Sequence, residues 1–345
     1  MTTFAFRFRS LSALLILVLL TACGAATPTA TTPPAAATAA PTTAAAAQPA
    51  ATAAPAPTTA AAAAERVIET RFGPVSVPAT PQRVVTLDEG ALDTALAVGV
   101  TPVGAISSRL TSGVAPYLAA MIPGVAIVGS PAETNFEAVV NAAPDLILTS
   151  NRVDEETFKK LSAIAPTVVP ANGMARWQDA AREYAAALGR SPELETVLVA
   201  IDGQISALRE KLAIAPGTSG AVIRWMPQGP LVMGRLLTSV GLLEQLGLTL
   251  PQIAVDLGTD APHTDVLSLE QLSQADTDWL FVATFNAEGE QALAAVREQA
   301  AFSQLKAAQS NQVVSVNAQL WSSAYGPIAT QMMLADIERS VLASE

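Results

Sequence analysis

The chain has 345 residues, with 30 acidic against 19 basic side chains and a formal net charge of −11. Residues 1–64 carry only the charges of Arg7 and Arg9, so the rest of the chain is more acidic still, and a cationic groove for nucleic acid is not expected. A single cysteine and a single histidine exclude an internal disulfide framework, a cysteine-clustered metal site and a multi-histidine zinc or manganese centre.

Residues 1–23 read as an export signal. Arg7 and Arg9 form a positive start, and Leu11 to Leu20 form an apolar run too short for the roughly 20 residues of a membrane-spanning helix. The run ends in Leu20-Thr21-Ala22-Cys23, similar to a bacterial lipobox, in which the cysteine thiol receives a diacylglycerol. The expected location is extracytoplasmic, on the outer face of the cytoplasmic membrane, with Cys23 as the lipid anchor. Residues 24–64 contain almost nothing but Ala, Thr and Pro. Their prolines break any long alanine helix, and no large apolar group can nucleate a core, so they read as a disordered tether.

From Glu65 onward, short β-branched runs alternate with helical patterns. Strands are expected at Arg83–Leu87, Pro102–Ile106, Val125–Val128, Leu146–Thr149 and Thr167–Val169, with a helix over Leu92–Val98 stopped by Gly99. Asp88 and Glu89 fall in the loop between the first strand and that helix. The second half repeats the style, with strands at Ala221–Met226, Leu231–Met233, Trp279–Thr284 and Val313–Val316 and a closing helix over Pro327–Leu342. Between the halves, Leu194, Val197, Leu198, Ile201, Ile205, Leu208 and Leu212 recur at helical spacing. Ser191 serves as the expected N-cap, Pro192 as the first helical residue, and Pro216-Gly217 as the stop. Apolar strands alternating with helices predict an α/β fold with mainly parallel sheets. The organisation is an N-terminal lobe over 65–190, a connecting helix over 191–215 and a C-terminal lobe over 216–345.

A repeat links the lobes. Asn135-Phe136-Glu137 precedes Asp145-Leu146-Ile147, and Ser268-Leu269-Glu270 precedes Asp278-Trp279-Leu280. Each copy has a capping residue, a glutamate in the first helical turn, and an aspartate at the start of a strand.

Pro81-Gln82-Arg83-Val84-Val85-Thr86-Leu87, followed by Ala95-Leu96-Ala97-Val98-Gly99-Val100, resembles the opening of the iron-siderophore substrate-binding lipoproteins of ABC transporters, the ferric hydroxamate, ferric citrate and cobalamin type. Ala143-Pro144-Asp145-Leu146-Ile147, Leu161 to Val168, Val222 to Pro227 and Leu320-Trp321 to Gly326-Pro327 match further stretches of that family in order. The resemblance implies two Rossmann-like lobes of the periplasmic-binding-protein type joined by a single long helix. It implies a receptor that captures a ferric siderophore in the inter-lobe cleft and hands it to an ABC permease dimer with its ATPase. It also implies one docking glutamate per lobe, at Glu137 and Glu270. No intrinsic cofactor is expected, the iron(III) chelate being the ligand, and the receptor is expected to act as a monomer.

Such a ligand is bulky, oxygen-rich and often anionic, so its site calls for fixed arginines and aromatic walls. Arg152 follows a strand, and Arg224 is embedded in an otherwise apolar strand, where a charge is costly without an anion or a partner. Trp321 and Tyr325 sit before the closing helix, Trp321 matching a pocket-wall aromatic of the family; Arg109 and Met226 lie at a loop and a strand end. Trp279 and Trp177 read as core packing, and His263 as an exposed residue of an acidic loop rather than a metal ligand. Asp88 and Glu89 stand where relatives often carry an aromatic, which suggests a cationic or hydroxyl-rich group on the ligand.

Haem and cobalamin are the rival ligands, with Tyr117, Tyr325 and Met226 available to haem iron. A sensor or adhesion module on the same fold is the rival from another class. No Gly-x-Ser-x-Gly elbow, paired-histidine helix or phosphate-cradling loop supports an enzyme.

Overall fold

Val84-Val85-Thr86-Leu87 is apolar or β-branched throughout and buried at every residue, as a strand covered on both faces must be. It belongs to a computed structural model that describes residues 65–342 apart from Leu110 and Asp260. The export signal, Cys23 and the tether lie outside the described residues.

The described residues open with an antiparallel hairpin, β1 (Glu65–Thr70) and β2 (Gly73–Pro78), which the sequence patterning did not single out. Arg66 fixes it to the body. Its guanidinium donates to the carbonyls of Ala186 and Ala187 at 2.9 Å each, at the end of helix Trp177–Leu188, where free carbonyls and the helix dipole favour a cation.

The first sheet contains β3 (Val84–Leu87), β4 (Gly104–Ala105), β5 (Ala126–Ile127), β6 (Leu146–Thr149) and β7 (Thr167–Val168) in the order β5-β4-β3-β6-β7, every pair parallel. Strand order reverses between β3 and β6, which opens a crevice at their carboxyl ends. The second sheet contains β8 (Gly220–Met226), β9 (Gly229–Val232), β10 (Trp279–Thr284) and β11 (Val313–Asn317) in the order β11-β10-β8-β9. Only β9 runs antiparallel there, against β8. The architecture is the expected one, two mainly parallel α/β lobes joined by one long helix. The strands expected over 102–106 and 125–128 are two residues long, although Val103, Ile106 and Val128 still donate across the same ladder.

The connecting helix spans Ser191–Leu212, about 33 Å at 1.5 Å per residue. Ser191 is its first residue rather than its cap, and Ala213 ends it in the left-handed conformation (φ 42°), ahead of Pro216-Gly217. Leu194, Leu198, Ile201, Ile205 and Leu208 form its buried stripe. The closing helix Pro327–Leu342 packs along it and against helix Glu89–Ala97 of the first lobe. One continuous apolar core therefore runs from Val84 and Leu146, through Leu198 and Met333, to Val222 and Phe281. A shared core of that extent resists wide lobe opening.

The repeat is structural as well as sequential. Asn135 and Ser268 cap the two short helices, accepting from Ala138 N and Gln271 N, and Ser268 completes a capping box with Gln271. Asp145 accepts from Gln82 N at 2.7 Å and Arg83 N at 2.9 Å; Asp278 accepts from Ser219 N at 2.7 Å and Ser219 Oγ at 2.8 Å. In each lobe the aspartate ties the start of its own strand to the start of the neighbouring one.

Candidate functional site

Asp88 decides where helix Glu89–Ala97 begins. Its side chain accepts from Ala91 N at 3.0 Å, so the helix starts at Glu89, three residues before the apolar periodicity starts. Asp88 and Glu89 are thus helix-end residues and not loop acids. They stand at the carboxyl end of β3, beside the reversal of strand order, and Asn151 and Arg152 stand at the carboxyl end of β6.

These residues line a cavity of about 540 Å³. The second lobe contributes Arg224, His263, Ser322 and Tyr325, and the loop after β4 contributes Arg109. Arg109, Arg152, Arg224 and Tyr325 were all expected here. The guanidinium–carboxylate pairs among the described residues involve Arg176, Arg182, Arg190, Arg235 and Arg339, leaving Arg109, Arg152 and Arg224 without an ion-pair partner. Arg224 Nε is buried with no hydrogen-bond partner, and its guanidinium lies 5.6 Å from the Phe285 ring centroid. Burial, and then the charge of Arg109, lower its pKa. Such an arginine calls for an anion.

Two expected residues are not in the wall. Met226 shares a strand face with Val222 and Arg224, yet it packs against the core beyond the cavity. Trp321 is 1% exposed; its ring stacks on Phe281 at 4.9 Å and its indole N–H donates to Asp336 at 3.0 Å. The helix Ala318–Ser323 turns Trp321 into the core and presents Ser322 and Ser323 to the cavity instead. His263, expected as a plainly exposed residue, is half-buried in the cavity wall, its Nδ1 2.7 Å from Thr264 O. Trp177 and Trp279 are core residues, as expected. Asn151, Ser322 and Ser323 were not anticipated; small polar residues at strand and helix ends leave no periodic signal.

The lobes are knitted together beside the cavity. Tyr325 OH donates to Asp88 at 2.6 and 2.7 Å, and its ring fills the space over Gly90, where a Cβ would sit 2.2 Å from it. Buried Asp93 accepts from Ile328 N at 2.8 Å and Ala329 N at 2.9 Å, the first turn of the closing helix, and from Tyr117 OH at 3.0 Å. Gln319 Nε2 donates to Ser108. The oxygens of Asp88 are engaged inside the protein, which removes it as a ready receiver of a cationic ligand group. The two tyrosines considered for haem iron are likewise hydrogen-bonded to Asp88 and Asp93.

Burial dominates the titration of these acids. It raises the pKa of Asp88 against its Tyr325 and Ala91 hydrogen bonds and the charge of Arg152. It raises Glu89 to about 8, helped by Asp88 and Asp93 and opposed by Arg109. It raises Asp93 to about 7 despite the Ile328, Ala329 and Tyr117 donors. Among the described residues no group of three or more His, Cys, Asp or Glu side chains could hold a metal ion.

Away from the cavity, Glu137 and Glu270 are both exposed in the first turns of their helices. Among the described residues no helix is long and apolar enough to cross a membrane.

Comparison with known proteins agrees with this architecture. The periplasmic binding protein family matches residues 84–320. The probable siderophore-binding lipoprotein YfiY of Bacillus subtilis is 30% identical over 270 residues, 76% of this chain and 83% of that protein. The achromobactin-binding periplasmic protein of Dickeya dadantii is 29% identical over 75% of this chain and 86% of that one. Staphylococcus aureus SirA, solved in complex with staphyloferrin B, superposes with a TM-score of 0.71 at 24% identity, over 80% of this chain and 98% of that one, a likeness of fold.

Proposed function

The chain belongs to the periplasmic binding protein family, and from that premise and the cleft we propose that it captures an anionic, oxygen-rich ferric siderophore between its lobes and delivers it to an ABC permease. One observation carries the choice of ligand: Arg109 and Arg152 of the first lobe and Arg224 of the second converge on a 540 Å³ cavity without ion-pair partners. Guanidinium groups match carboxylate and other chelating oxygens through paired N–H donors. The volume suits a compact chelate. The iron arrives inside its organic shell as cargo, so the protein needs no metal ligands of its own.

Arg224→Leu should weaken ferric citrate binding, measured by calorimetry, more than tenfold; unchanged affinity removes Arg224 from the site. A panel of ferric citrate, ferric hydroxamates, ferric catecholates, haem and cobalamin then ranks the ligand classes. Tight binding of haem or cobalamin in place of every ferric chelate overturns the reading.

Glu137 and Glu270 are the docking residues in this reading, one exposed carboxylate on each lobe, with the permease dimer and its ATPase as partner. Each exposed pair adds only about 0.2–1 kcal/mol, so they set register and encounter more than affinity. Charge reversal at both should abolish iron uptake while calorimetry shows ligand binding intact. Lipidation at Cys23 completes the proposal, and Cys23→Ala should move the protein from the membrane fraction to the soluble fraction.

A further inference from the structure

Arg224 Nε is not the only polar atom left open in the cleft. Glu89 Oε1 is also buried without a hydrogen-bond partner, in a side chain that lines the same cavity. Its environment is hostile to a negative charge. Asp88 precedes it directly and Asp93 follows one helical turn later, both buried. The other elements around the cavity bring Arg109 after β4, Arg152 after β6, Arg224 on β8, His263, and Tyr325 ahead of the closing helix to the same wall, Arg109 being the cation whose charge acts on Glu89, with Tyr117 beside Asp93. The hydroxyls of Tyr325 and Tyr117 are given to Asp88 and Asp93, so neither donates to Glu89.

We infer that Glu89 is a specificity-determining residue of the cleft, a neutral carboxylic acid that donates a hydrogen bond to an oxygen of the anionic ligand and excludes that ligand once it ionises. The inference rests on the functional reading above and deepens it. A protonated carboxyl can donate where a carboxylate only accepts, so the neutral acid complements an oxygen-rich anion that the three arginines attract. An ionised Glu89 would instead set a negative charge against the ligand in a poorly hydrated wall. Burial together with Asp88 and Asp93 raises its pKa to about 8, above neutrality, with Arg109 opposing. An anion bound beside it raises that value further. Proton linkage then makes affinity steady below about pH 8 and weaker above it, by up to about tenfold per pH unit.

The test compares the full chain with Glu89→Gln and Glu89→Ala, using ferric dicitrate as the probe from pH 6.5 to 9.5. Dividing the parent's dissociation constant by the variant's at each pH cancels changes in the chelate itself. The expected result is a ratio that rises above pH 8 for both variants, with the alanine variant binding more weakly than the glutamine variant at pH 6.5. A ratio independent of pH, or equal affinities of the two variants, overturns the inference. Infrared difference spectra supply a readout that needs no ligand: at pH 7 the parent shows one neutral-carboxyl component more than Glu89→Gln, which keeps those of the neighbouring aspartates, and that extra component is lost by pH 9.5. Failure of ferric dicitrate to bind any of the three proteins counts against the functional reading, and the infrared band then judges Glu89 by itself, its absence overturning the inference.

Discussion

The two edges of the parallel sheets use the same residue types to opposite ends. Where the strands start, Asp145 and Asp278 accept neighbouring N–H groups and lock adjacent strands together. Those hydrogen bonds hold Asp278 below the ordinary carboxylate range. Where the strands finish, Asp88 and Asp93 are buried and Glu89 half-buried beside the cavity and the lobe junction, and loss of water raises all three. A carboxyl rich in donors and near water serves the fold as an anion; one stripped of water and set beside other acids is held near its neutral form, where a ligand or a proton can change it.

The strongest way to break this contrast is Asp93→Ala. It leaves two helix-start N–H groups and a tyrosine hydroxyl without their acceptor, and should lower the unfolding free energy by about 3 kcal/mol in chemical denaturation. A loss no larger than that of an exposed acid would remove Asp93 as a junction residue. Asp278→Ala should cost less, about 2 kcal/mol, because Ser219 N and Oγ are left part-buried without their acceptor, and Asp145→Ala about 1 kcal/mol, because Gln82 N and Arg83 N are exposed and turn to water instead. Equal costs for the two would show that the part-buried setting of the Ser219 contacts adds nothing.

The pH profile sharpens the same contrast. Asp93 is raised in the fold from 3.8 to about 7, so its contribution is full below the unfolded value and is lost as pH rises through 7. Asp278 is depressed, so its contribution is present above 3.8 and is lost as pH falls below it. Unfolding free energy should therefore fall from pH 5 to pH 7, by at most about 1.4 kcal/mol per unit from Asp93, with a shallower fall in Asp93→Asn. A flat profile would show that Asp93 is charged throughout.

Much of the fold is legible along the chain because its signals are local. The β-branched runs at 84–87, 146–149 and 279–284 are buried strands, and the apolar spacing from Leu194 to Leu208 is the connecting helix. The hairpin over 65–78 went unread because its strands are half-exposed and hold two prolines. The site was legible in its charges and less so in its directions. Arg224 stood out as a charge within an apolar strand, and the other two arginines as polar residues beyond strand ends. Trp321 misled because an aromatic near a loop suggests a wall, whereas the short helix carrying it points the indole at Phe281.

Composition and periodicity act over a few residues, so the α/β class, the paired lobes, the repeat with its capping residues and the three arginines as candidates were all written along the chain. Folding in three dimensions settled which side chains share the cavity, that Tyr325 and Asp93 stitch the lobes, and that Glu89 Oε1 is left without a hydrogen-bond partner beside two acids. Those facts depend on burial and on neighbours up to 237 residues apart, and a carboxyl group's charge follows from the water and the donors that the fold leaves around it.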